Sequence, residues 1–78
     1  MEYSKKVDIL KKCLFKVDCA ISYYKTELKT GGNVSKSQID LLKLLKKNIL
    51  TVLDKQDISD DESYKLFESV KYCRLIEW

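Results

Sequence analysis

Between Tyr3 and Leu28 the apolar residues fall at Tyr3, Val7, Leu10, Leu14, Val17, Ile21, Tyr24 and Leu28, separated by steps of 4, 3, 4, 3, 4, 3 and 4. Alternating steps of three and four gather side chains into one narrow stripe of an α-helix, whereas a strand needs a period of two. The stretch predicts a helix over about 4–30, roughly 40 Å long at 1.5 Å per residue, with an apolar seam that other elements must cover. A chain of 78 residues lies near the lower end of what folds unaided, so that cover comes from a few short elements of one domain.

Composition removes several chemistries. Histidine is absent, which takes away the commonest general base and the commonest metal ligand together. Proline is also absent, and the only glycines are Gly31 and Gly32, so there are few loops to carry an active site. No cofactor or metal site is expected, and no enzymatic activity; catalysis would have to rest on a cysteine. Cys13, Cys19 and Cys73 are odd in number and irregular in spacing, unlike a disulfide framework. Cys13 and Cys19 stand about 120° apart on one helix, which rules out a bridge between them. The three read as reduced thiols that pack as small hydrophobes. The acidic stretch from Asp54 to Glu62 lacks the glycine and the ligand spacing of a calcium loop.

No apolar run is long enough to span a membrane, and Lys11 and Lys12 interrupt the one early stretch that would serve as a signal peptide. A cytoplasmic protein is expected, in a bacterial cell or in the host cell if viral. The bias to Lys, Leu, Ile, Asp, Ser and Tyr suggests AT-rich coding and a viral or phage accessory protein.

Gly31-Gly32 stops the first helix, because glycine accepts the left-handed conformation of a C-cap. Ser35 and Gln38 then match a capping box, with Val34 and Ile39 at the positions of a hydrophobic staple. The second helix is expected over about 36–55, with apolar residues on an arc of roughly half its circumference, wide enough to touch two neighbours. Leu44 falls outside that arc and is expected in solvent. Lys46 projects toward the arc, so its stem should lie along the core. Ser59 with Glu62 makes a second capping box, and Asp60 and Asp61 favour a helix start. The third helix is expected over about 60–76, with Leu66, Phe67, Val70 and Cys73 on its inner face. Short connections make each helix antiparallel to the next, giving an all-α, small antiparallel three-helix bundle with a long first helix.

Two features concern function. Phe15, Cys19 and Tyr23 lie four residues apart, nearly opposite the seam, as a second apolar stripe. With Leu44, Tyr72, Ile76 and Trp78 they form the expected partner-binding set, since aromatic and leucine anchors with lysine rims suit a protein interface. The expected function is a small intracellular helical protein-protein interaction module, a regulatory adaptor or inhibitor that acts by covering another protein. A homodimer is also expected, because the first helix overhangs the others by roughly 10 Å and carries apolar groups on two faces. The alternative is nucleic-acid binding through Lys5, Lys12, Lys16, Lys43 and Lys47. The net charge of +3 permits it without arguing for it, and the acids at the start of the third helix have the wrong sign for a recognition helix. Asp40 comes one residue too early after Ser37-Gln38 for the Ser-Gln-x-x-Asp signature of the small helical phosphatases of spore-forming bacteria, which turns it about 100° away.

Overall fold

A computed structural model describes residues 3–55 and 57–76. Three helices follow in order, α1 (Tyr3–Lys29), α2 (Lys36–Leu53) and α3 (Asp60–Lys71), each packed against the other two. The 27 residues of α1 form one unbroken rod, and the molecule takes its long axis of 44 Å from it. The all-α bundle with a long first helix is as the periodicity requires.

The end of α1 shows why the glycines are there. Gly31 has φ +78, and its N–H donates to Leu28 O while that of Gly32 donates to Glu27 O at 2.7 Å. These two bonds are the 5→2 and 6→1 pair of a Schellman motif. Nothing lies within 4 Å of a Cβ at Gly31, so the cost of a side chain there is purely conformational; at Gly32 a Cβ would stand 2.9 Å from the Glu27 carbonyl oxygen. Gly31→Ala should therefore lower stability by about 1–2 kcal/mol, and Gly32→Ala by more, because backbone must move. Urea titrations of the two variants check the order.

At the start of α2, Gln38 Oε1 accepts the Ser35 N–H at 3.1 Å, and Ser35 Oγ bonds Ser37 Oγ. At α3 the box is reciprocal, with Ser59 Oγ accepting from Glu62 N–H and Glu62 accepting from Ser59 N–H. Lys55 also pairs with Glu62, and that hydrogen bond, followed by the one from Ser59, holds the Glu62 carboxyl below its ordinary pKa.

The core consists of Leu10, Cys13, Val17, Ala20 and Ile21 from α1, Leu42 and Ile49 from α2, and Ile58, Val70 and Ile76. Cys13 and Ala20 widen the seam on one flank because α1 rests on two helices. Burial pushes the Cys13 thiol up, against the partly opposing charge of Lys12. Leu28 at the far end of the seam is exposed, as are Leu41 and Leu50 at the two edges of the α2 arc. The half-circumference reading of α2 was too wide by those two positions. Ser63, expected at the edge of α3, is buried and donates to Asp60 O. The side chain of Tyr3 lies outside what the structure describes.

Two ion pairs fix the arrangement. Lys6 Nζ pairs with Asp60 at 2.9 Å, which sets the start of α3 beside the start of α1. Lys46 crosses to Asp18 at 2.7 Å, so its ammonium ends on α1 rather than simply following its stem along the core. Asp18 and Lys6 stand about 120° apart round α1, so α2 and α3 pack on adjacent flanks of it and touch each other.

The third helix is shorter than the pattern implies. It ends at Lys71, five residues before the expected Ile76, and Tyr72 caps it with φ -94 and ψ 3. Neither glycine nor proline forces the stop. A continued helix would carry Ile76 about 120° round from Val70, out of the core. By leaving the helix, the chain closes a turn from Cys73 O to Ile76 N–H and buries Ile76. No helix among the described residues is long and apolar enough to cross a membrane.

Candidate functional site

The back of α1 is open along the stripe read from the sequence. Phe15 is 66% exposed and Tyr23 60%, and Cys19 between them is an exposed thiol. Their spacing comes from the helix; their exposure comes from the position of α2 and α3, which cover the other side of the rod. Beside them runs a groove of about 510 Å³ lined by Phe15, Lys16, Cys19, Ala20, Tyr23, Tyr24 and Leu75. Tyr24 meets Tyr23 edge to face, with centroids 5.3 Å apart, and so closes one end. Leu75 is delivered by the turn after α3, the same turn that buries Ile76.

The structure divides the residues expected to bind a partner. Phe15, Cys19 and Tyr23 share the groove. Leu44 is exposed as expected, at 53%, but stands on the outer face of α2. Tyr72 is 73% exposed at the end of α3. Ile76 is buried, a correction that follows from the early end of α3, and is removed from the surface set. Trp78 lies outside the described residues.

Leu75 is a contributor that the pattern did not single out, and Tyr64 is a further exposed aromatic outside the groove. Tyr64 stands one turn after Asp60 on α3. Its hydroxyl is pushed up in pKa by a hydrogen bond to Glu68. The spacing of Tyr64, Glu68 and Tyr72, each four residues apart, was the available signal. Lys71 stands 5.8 Å from the ring centroids of both Phe67 and Tyr72, a distance at which a cation is attracted to an aromatic face.

The five lysines of the nucleic-acid alternative are not gathered. Lys5, Lys12 and Lys16 fall within about 40° of one another on α1, on the flank where Lys16 lines the groove. Lys43 and Lys47 belong to a separate shallow depression with Lys46, Leu50, Thr51 and Asp54, on the side where Lys46 meets Asp18. Among the described residues no group of three or more His, Cys, Asp or Glu is placed to hold a metal ion.

Comparison with family models, with curated proteins and with solved structures finds no match for this chain.

Proposed function

We propose that the chain is a small helical interaction module, an adaptor or inhibitor that acts inside the cell by covering a surface of another protein, with no chemistry of its own. The observation that carries this reading is the groove beside Phe15, Cys19 and Tyr23. Two aromatic rings stay mostly in water on a helix whose opposite side is well buried. Large exposed apolar groups massed on one face mark contact sites, and buried aromatic anchors supply most of the energy of such contacts. The regulatory, cytoplasmic and virus- or phage-encoded character belongs to the same proposal, supported by composition. The nucleic-acid reading is weaker, because its lysines divide between two faces.

The test compares affinity capture by the full chain and by a Phe15→Ser/Tyr23→Ser variant from a lysate of the organism that encodes it. Both residues are exposed, so the variant should melt within about 2–4 °C of the parent, as for a surface change of up to 0.5 kcal/mol. The expected result is at least a tenfold loss of the captured protein. Recovery of the same proteins in equal amounts by both forms would overturn the proposal.

A further inference from the structure

The outward stripe of α1 reads the same in both directions, with Phe15 four residues before Cys19 and Tyr23 four residues after it. We infer that the occupant of this face is a second copy of the chain, lying antiparallel across α1 about a two-fold axis at Cys19. The inference rests on the reading of this face as a protein-binding surface and names its partner. An isologous interface must pair residue i with j and j with i. In this register each Phe15 meets the Tyr23 of the second copy, twice over, and Cys19 meets Cys19.

Charge fits the same register. Positions that sum to 38 stand level, so Lys16 comes opposite the uncharged Ser22. Lys12 comes one residue from Glu27 of the second copy, and Asp8 one residue from Lys29. Opposite signs therefore meet toward both ends of the crossing, and symmetry doubles each pairing. The nearest like charges in level are Lys12 and the second copy's Lys25, but Lys25 lies about 140° round α1 from Lys12, away from the stripe, where water screens it. Leu75, which lines the groove, adds an apolar wall on the α3 side.

The size of the contact sets its strength. Four mostly exposed aromatic rings offer on the order of 500 Å², and the neighbouring stems bring the total to on the order of 1,000 Å², at the low end of specific interfaces. The dimer is therefore weak, with a dissociation constant in the micromolar range.

Two measurements on the full chain test this. Sedimentation equilibrium across a concentration series should show the average mass rising toward twice that of the chain. Diamide, which takes up the two hydrogens released as two thiols join, should trap a covalent dimer through Cys19, since Cys13 is buried and Cys73 half-buried. Cys19→Ser should remove the trapped species, and Phe15→Ser/Tyr23→Ser should cut its yield at least tenfold without unfolding the chain. Lys12→Glu should weaken association severalfold, and Lys12→Glu/Glu27→Lys should restore it. A chain that stays monomeric at every concentration, or a trapped dimer that survives Cys19→Ser or keeps its yield in the double serine variant, overturns the inference. A monomer whose capture of a foreign protein still depends on Phe15 and Tyr23 also overturns it, while leaving the interaction module in place.

Discussion

Leu42→Ala should lower the melting temperature by roughly 10–40 °C. Leu42 is fully buried at the centre of the α2 face and belongs to the main core cluster. Truncating a leucine in such a site loses its transfer free energy and leaves a cavity, together about 2–5 kcal/mol. For a domain of this size each kcal/mol moves the melting temperature by about 4–8 °C. Total stability is on the order of 5–10 kcal/mol, so the single change removes a large share of it. Leu44→Ala is the internal control. It removes the same atoms two positions along the same helix, from a side chain more than half in water, and should shift the midpoint within about 2–4 °C. Thermal melts followed by circular dichroism at 222 nm would show the contrast. Equal effects from the two variants would mean that the assigned faces of α2 are wrong.

Lys6→Met should be the next most damaging change, and its cost should depend on pH. The Lys6 ammonium donates to Ile58 O at 2.7 Å as well as pairing with Asp60. Ile58 is fully buried although it lies between two helices, so methionine would fill the space and leave that carbonyl without its charged donor. A lost hydrogen bond of this kind costs about 1–3 kcal/mol. The hydrogen bond and charge of Lys6 also hold the Asp60 carboxyl below its ordinary value of 3.8. A carboxylate with a lowered folded-state pKa contributes stability above its unfolded pKa and loses it as pH falls through the folded value. The unfolded reference values are 3.8 for Asp60 and 4.5 for Glu62. The parent should therefore hold its stability above about pH 5 and lose it on further acidification. Lys6→Met should be weaker at pH 7 and fall less steeply, so the gap narrows at pH 3 without closing. Urea midpoints at the two pH values decide this; parallel curves would remove Asp60 from the account.

Much of this fold is legible in the residues because the chain uses local signals. The 4-3 steps of α1, the Gly31-Gly32 stop and the Ser59-Glu62 box each determine structure through neighbours within a few positions. Leu44 could be placed in solvent by the same arithmetic. What was not legible depends on lengths and endings elsewhere. Leu41 and Leu50 look like core residues on a wheel, but a helix of 12 residues cannot cover the whole of one of 18. The end of α3 carries no breaker; it is set by the gain from turning Ile76 inward, which only the assembled bundle supplies. The site divides the same way. Phe15, Cys19 and Tyr23 follow from spacing alone, whereas Leu75 reaches them through a turn that no helical pattern anticipates.

The stagger between α1 and α3 has a further consequence. Their starts are tied together by Lys6 and Asp60, and the 12 residues of α3 extend about 18 Å. α3 therefore accompanies only about the first half of the rod, and the last turns of α1 have α2 alone beside them. Segments with fewer packed neighbours open at lower free energy than the body of a domain. Tyr23 and Tyr24 sit where that change occurs. The aromatic face thus spans the border between the firm part of the bundle and its thinner end, and whatever covers it would lend the upper turns of α1 the third wall that α3 is too short to provide.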